Sequence, residues 1–273
     1  MLQSSEHMAG LFIIKLGGSV ITAKSENKFE VREDTLARIA REIKRARDES
    51  PFSLIVIHGA GPFGHTNVVK YDINNGVFTP RHKEGLEKTI KDCNFLDSKV
   101  VANLNEAGVP AVGLDPNKLA VQENKKVVSF DLQRVEQTLY QGKTPVLYGQ
   151  MVPDNKLNAS VISGDTILAL LSKNLKPKKV LIGTDVGGVF TADPKKEPKA
   201  ERIPKITEEN FEEVLEMVGE AKTVDVTGGM RGKLLKLKEQ LASAPAFIFD
   251  ANEEGSFYKA LLGKEVHGTE IVL

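Results

Sequence analysis

The sequence predicts an α/β fold, a mainly parallel β-sheet covered by helices on both faces. Short β-rich runs recur at Leu11 to Leu16, Phe52 to Ile57, Pro110 to Gly113, Thr144 to Leu147 and Lys178 to Gly183, with helical patterns between most of them. Strands that alternate with helices are joined by crossovers, which make neighbouring strands parallel and bury both faces of the sheet. The chain is also long, at 273 residues without an internal repeat or a Gly/Ser-rich linker, so one large domain or two smaller lobes could bury a substantial core.

The first ten residues are polar and precede the first strand, so they are expected to be a leader or an expression remnant outside the fold. Leu11 to Leu16 forms the first strand and leads into Lys15-Leu-Gly-Gly-Ser19. The second strand, Phe52 to Ile57, feeds His58-Gly-Ala-Gly-Pro-Phe-Gly-His65, and Tyr71 to Thr79 reads as loop. The clearest helix covers Glu84 to Glu106, where Leu86, Ile90, Cys93, Val100 and Leu104 recur at helical spacing. Most of that stripe is expected in the core, with one end available to line a pocket. Ser163 is placed to cap a helix running through Ile167 to Leu171. Helices are expected at Val214 to Gly219 and Gly229 to Leu241, with closing strands at Ala246 to Phe249 and Thr269 to Leu273. A boundary near Lys176-Pro177 divides residues 11–175 from 176–273, the two lobes sharing one continuous sheet.

Composition excludes several classes. With 37 basic and 37 acidic residues the net charge is zero, so no global field draws in nucleic acid and any anion must be held by a local pocket. The charged runs at Lys44 to Glu49, Lys195 to Glu201 and Lys233 to Glu239 read as solvated faces. Cys93 is the only cysteine, which rules out an internal disulfide, argues against a cysteine-based zinc site, and leaves it as a small buried hydrophobe. No apolar run approaches the roughly 20 residues needed to cross a bilayer and no signal-peptide core is present, which predicts a cytoplasmic protein without membrane partners.

The chemistry lies in glycine turns at strand ends. In His58 to His65, bare N–H groups and a flanking imidazole suit a phosphate, although Gly59, Gly61 and Gly64 also satisfy a dinucleotide-type G-x-G-x-x-G. No acidic residue closes a second strand about 20 positions later, so phosphate binding is favoured over NAD binding. Lys15-Leu-Gly-Gly-Ser19 is not a Walker A loop, yet its glycines and lysine share that logic; Lys24, nine residues on, can return to the same mouth or remain a solvated loop lysine. In Ser163-Gly-Asp165 the aspartate either complements the helix dipole or orients lysines. Gly183-Thr-Asp-Val-Gly-Gly-Val189 and Thr191-Ala-Asp-Pro194, followed by Lys195, suit a purine or ribose but equally a pair of solvated turns. Asp225-Val-Thr-Gly-Gly-Met230 opens a helix that carries Lys233. Four such turns on one edge of a sheet, three with a nearby lysine, would converge on transferring phosphates, and phosphoryl transfer needs little beyond positioning and charge neutralisation.

Taken in this order, from Leu11 to nearly the end of the chain, these motifs resemble the amino acid kinase superfamily. The resemblance implies an open three-layer αβα sandwich, with the phosphoryl acceptor on the N-terminal half and ATP on the C-terminal half. Within the superfamily, His58-Gly-x-Gly-x-Phe-Gly-His65 and the position of Lys24 are most similar to the isopentenyl phosphate kinases, and next to the fosfomycin kinases. The implied reaction moves the ATP γ-phosphate onto isopentenyl phosphate for an archaeal-type mevalonate route, in a homodimer, with Mg2+ arriving on the nucleotide and no dedicated metal site. By this resemblance Lys15 and Lys233, with Gly17, Gly18, Ser19, Gly61, Gly228 and Gly229, would bind ATP phosphates, and Lys24 would stabilise the group in transfer. His65 would hold the acceptor phosphate, assisted by Ala60, Gly61 and Gly149, while Asp165 would organise the lysines. Thr184, Asp185, Asp193, Pro194 and Lys195 would face the nucleotide. Gly187, Gln150 and Pro62 depart from the usual pattern and bear on nucleotide affinity and acceptor fit. The alternatives are a kinase of another small phosphate or phosphonate such as fosfomycin, and a catalytically silent nucleotide-binding sensor.

Overall fold

A computed structural model describes residues 10–24, 29–218, 229–240 and 244–273. The chain begins with β1 (Leu11–Leu16), the short helix α1 (Gly18–Ile21), the hairpin β2 (Thr22–Lys24) and β3 (Phe29–Val31), then α2 (Glu33–Glu49) and β4 (Ser53–His58). Helices α3 (Pro62–Lys70) and α4 (Pro80–Glu106) follow, then β5 (Ala111–Gly113), β6 (Ala120–Glu123), β7 (Lys126–Phe130), α5 (Leu132–Tyr140) and β8 (Thr144–Tyr148). After β9 (Gln150–Asp154) and β10 (Asn158–Ile162) come α6 (Gly164–Leu175), β11 (Lys179–Thr184), β12 (Val189–Phe190), β13 (Arg202–Ile203) and β14 (Lys205–Thr207). The remaining elements are α7 (Phe211–Val218), α8 (Gly229–Gln240), β15 (Ala246–Asp250), α9 (Ser256–Leu261) and β16 (Gly268–Val272).

The main sheet has eight strands in the order β14-β16-β15-β11-β1-β4-β8-β5. Every pairing from β15 to β5 is parallel, and only β16 runs antiparallel to its neighbour β15. The central strands are buried almost throughout, because a sheet covered on both faces selects continuous apolar runs instead of alternation. On one face Ile13, Ile57, Leu147 and Ile182 pack with Ile167, Leu168 and Leu171 of α6 and Leu234 and Leu237 of α8. On the other, Ile14, Val56, Leu181 and Phe249 pack with Leu36, Ile39 and Ile43 of α2 and Leu96, Val100 and Leu104 of α4. The three-layer αβα sandwich is therefore realised.

Two features depart from the sequence reading. The run Lys44 to Glu49 is the last turn and a half of α2, a 17-residue helix whose inner face buries Leu36, Ile39, Ala40, Ile43 and Ala46. Its outer residues are solvated, but the element is structural. Lys233 to Glu239 is likewise no plain solvated face: Leu234 and Leu237 are fully buried and Lys233 and Lys236 half-buried. A second, four-stranded sheet in the order β10-β9-β6-β7 stands beside the main one. It closes a small third core of Val68, Tyr71, Ile73, Val77, Met151 and Ala159, with Leu86 and Ile90 of α4 against it. Among the described residues no helix is long and apolar enough to cross a membrane.

Register fixes where the chemistry can occur. Leu16 lies opposite His58 and Gly183, and His58 lies opposite Tyr148, so the turns after β1, β4, β8 and β11 leave the sheet side by side at its carboxyl edge. Ligands of open α/β sheets bind in the crevice at that edge.

Candidate active site

At this edge lies a cavity of about 550 Å³. Lys15, Gly17, Gly18, Ser19, Ala60, Gly61, His65, Gly149, Asp165, Thr184, Asp185 and Lys233 all line it. These residues come from six separate stretches of chain, brought together by the parallel register and by two helix starts, those of α3 and α6.

The turns after β1 and β4 are packed backbone to backbone. A Cβ on Gly18 would lie 2.6 Å from the Gly61 nitrogen, and one on Gly59 would lie 2.7 Å from the Gly18 nitrogen. No side chain fits between them. Gly61 also takes φ +51°, in the left-handed region that favours glycine. Pro62 then occupies the first turn of α3, where its fixed φ suits the helix and its missing N–H would have had no intrahelical partner. Among the described residues, the N–H groups of Ala60 and Gly61 have no hydrogen-bond partner, and both residues border the cavity. Gly149 differs: its N–H donates to the His58 carbonyl at 3.2 Å, so what it offers the cavity is room.

Asp165 holds the charged end together. Ser163 caps α6 by accepting from the Thr166 N–H at 3.1 Å, which sets Asp165 in the first turn, 7% exposed. Its carboxylate takes an ion pair from Lys15 and a second from Lys233 at 3.1 Å, while Lys236 donates to the Ser163 hydroxyl at 2.9 Å. Burial alone would raise the Asp165 carboxyl, but the Lys15 and Lys233 charges outweigh it and hold the group well below the usual carboxylate range. For Lys15, burial is the largest influence, and with Lys233 nearby it presses the ammonium below the ordinary lysine range despite Asp165. Asp165 thus sits in the first turn of α6 and is ion-paired with two lysines, a geometry compatible with either of its sequence readings.

The residues expected to face a nucleotide divide. Thr184 donates to the Val186 carbonyl at 2.7 Å, shaping the turn after β11, and Asp185 is ion-paired with Lys195. Burial would raise the Asp185 carboxyl, yet hydrogen bonds from Lys195 and Ser19 bring it below its ordinary value. Among the described residues, Asp193, Pro194 and Lys195 are not part of the cavity wall; Lys195 reaches it through its ion pair with Asp185. Gly229 begins α8, one residue before Met230 of the cavity wall. Lys24 ends β2, with its side chain outside the described residues, as is Gly228.

The opposite end is apolar. Pro62, Val68, Cys93, Met151, Val161 and Ile162 wall it, with Thr89 and Gln150. His65, in the first turn of α3, also lines the cavity. Burial pushes the Cys93 thiol up to about 12, so it behaves as a hydrophobe. Sequence reasoning did not assemble this wall, because Val68, Met151 and Val161 come from three elements and look like ordinary core. The helical stripe of α4 was expected to line a pocket at one end, but it is the middle member, Cys93, that reaches the cavity, while Leu86 and Leu104 do not. Gln150 keeps its amide engaged: it donates to Asn94 Oδ1 at 2.9 Å and accepts from the Met151 N–H at 2.8 Å. Among the described residues, no cluster of three or more His, Cys, Asp or Glu could hold a metal ion.

Residues 10–250 match the model of the amino acid kinase family. The isopentenyl phosphate kinase of Methanothermobacter thermautotrophicus is 38% identical over 270 residues, covering 96% of this chain and 98% of that protein. The isopentenyl phosphate kinase of Methanocaldococcus jannaschii is 33% identical over 269 residues, again covering 96% and 98%. A crystal structure of an isopentenyl phosphate kinase superposes with a TM-score of 0.82 at 35% identity, over 96% of this chain and all of the other.

Proposed function

The chain belongs to the amino acid kinase family, and from that premise we propose that it transfers the γ-phosphate of ATP to isopentenyl phosphate, giving ADP and isopentenyl diphosphate. One observation carries this reading. A single cavity joins a glycine-and-lysine end, suited to phosphates, to an apolar end walled by Val68, Cys93, Met151 and Val161, suited to a short hydrocarbon tail. An acceptor with a phosphate head and an apolar tail fits both ends at once. A compact, polar phosphonate would leave the apolar wall without a partner.

In this reading the N-terminal lobe, 11–175, takes the acceptor and the C-terminal lobe, 176–273, takes the nucleotide. His65 and the N–H groups of Ala60 and Gly61 hold the acceptor phosphate. One of its oxygens attacks the γ-phosphorus in line, and the bond from that phosphorus to the oxygen bridging to the β-phosphate breaks with its electron pair leaving on ADP. The acceptor is already an anion, so no general base is needed. Lys15, Lys24 and Lys233 neutralise charge that spreads over the transferring oxygens, and Asp165 keeps Lys15 and Lys233 aimed. Thr184, Asp185 and Lys195 face the nucleotide, which brings Mg2+ with it. The product serves isoprenoid synthesis, in a cytoplasmic homodimer.

The test is ADP release measured with isopentenyl phosphate, dimethylallyl phosphate and fosfomycin in parallel. The proposal expects the highest kcat/KM on isopentenyl phosphate. Preference for fosfomycin would replace the acceptor, and tight ATP binding without turnover on any of the three would make the chain a sensor.

A further inference from the structure

Beneath the acceptor loop lies a buried polar group that the transfer chemistry does not use. His58, the last residue of β4, is fully buried. Its ring stacks on Tyr148 with centroids 5.1 Å apart and planes 11° from parallel. Nε2 faces Asp97 Oδ1 of α4 at 3.4 Å, and Nδ1 faces the Gly59 carbonyl oxygen at 3.1 Å. Asp97 is itself 8% exposed, and glycine at position 113 makes room for it, since a Cβ there would lie 2.3 Å from Asp97 Oδ2.

The geometry of one peptide unit gives this group a task. A trans peptide is planar and holds its C=O and the following N–H antiparallel, so fixing one aims the other. A carbonyl only accepts, so the His58 contact requires a hydrogen on Nδ1 donated to Gly59 O, and the Asp97 contact requires a second hydrogen between Nε2 and Oδ1. On the opposite side of that peptide the Ala60 N–H then points away from the ring. Ala60 borders the cavity, and its N–H has no partner among the described residues. Gly59 is anchored at its other end as well, its own N–H donating to the Leu16 carbonyl at 2.9 Å.

We propose that His58, oriented by Asp97 and by stacking on Tyr148, is a positioning residue that aims the Ala60 N–H at the acceptor's phosphate. This rests on the acceptor reading above, and it predicts a division between the two substrates. His58→Leu fills the volume but cannot donate, whereas His58→Asn offers an amide N–H close to the position of Nδ1. Acceptor KM is expected to rise on the order of ten-fold in His58→Leu, the loss of one hydrogen bond to a charged group, with ATP KM within about two-fold of the parent. His58→Asn should restore most of the loss, and Asp97→Asn should move acceptor KM in the same direction as His58→Leu, by less.

A second readout does not depend on which acceptor is turned over. Inorganic phosphate titrated into the intact protein should shift the Ala60 amide resonance, and the affinity read from that shift should fall in His58→Leu and recover in His58→Asn. Parallel losses for ATP and acceptor, or failure of His58→Asn to recover either quantity, would reduce His58 to a packing residue and overturn the proposal. If His58→Leu does not fold, Asp97→Asn and His58→Asn decide by the same split, and unchanged acceptor KM and phosphate affinity in Asp97→Asn would remove the proposed orienting role. Turnover of a different acceptor with the Ala60 response intact would sink the isopentenyl phosphate reading and leave the positioning role standing.

Discussion

At one end of the cavity Lys15, Asp165 and Lys233 converge from three elements into a buried charge cluster, while at the other Val68, Cys93, Met151 and Val161 form a wall without charge. The two ends obey different tolerances. A buried ion cluster is held by mutual pairing, so removing a member leaves a desolvated charge. An apolar wall is held by volume, and changes there are graded. Chemistry should therefore fail abruptly when the first end is altered, and acceptor fit should drift when the second is.

The largest effect is expected from Lys15→Met, which removes a charge from the transfer site but leaves Asp165 paired with Lys233. kcat should fall by about 10²- to 10³-fold, measured with both substrates saturating, while acceptor binding survives. His65→Ala tests the proposed acceptor contact. It should raise acceptor KM by about ten-fold or more and leave ATP binding largely intact, and unchanged kinetics would return His65 to the role of a wall residue. Met151→Ala lies wholly in the apolar end, where the side chain is fully buried. It should lower stability by about 2 kcal/mol by denaturant titration and change acceptor KM with kcat nearly constant.

The smallest effect separates the ends by protons. Lys15 is held below the ordinary lysine range by burial in the absence of nucleotide, and an incoming polyphosphate favours its charged form. ATP binding should then take up protons, and ATP affinity should weaken as pH rises from neutrality towards the ordinary lysine range. Calorimetry in buffers of different ionisation enthalpy reads this directly. Binding of an uncharged acceptor mimic to the apolar end should show no such uptake.

The same contrast explains what the sequence could reveal. Glycines and lysines at strand ends have few reasons to occur together, so Lys15, Gly18, Gly61, Asp165 and Lys233 could be grouped from the sequence, and all five line one cavity. Parallel strands such as β1 and β11 were legible to within a residue because burial on both faces demands unbroken apolar runs. The apolar wall was not legible, since Val68, Met151 and Val161 carry no mark that separates a pocket lining from a core. Helix α2 was overlooked because its charged outer face drew attention from Leu36, Ile39 and Ile43, which recur at helical spacing on the inner one. The small sheet of β6, β7, β9 and β10 has short strands and turns at Asn124-Lys125 with positive φ, where no glycine gives the turn away.

The contact of Gly18 with Gly59 and Gly61 has a mechanical consequence. Where these glycines meet, the two turns touch through main chain, and a side chain at any of the three positions would collide. On the proposed reading the two turns would act as a gauge block between donor and acceptor. An acceptor's phosphate would then be presented across a spacing set by backbone van der Waals radii, and the apolar wall could be reshaped for a new substrate without retuning that distance.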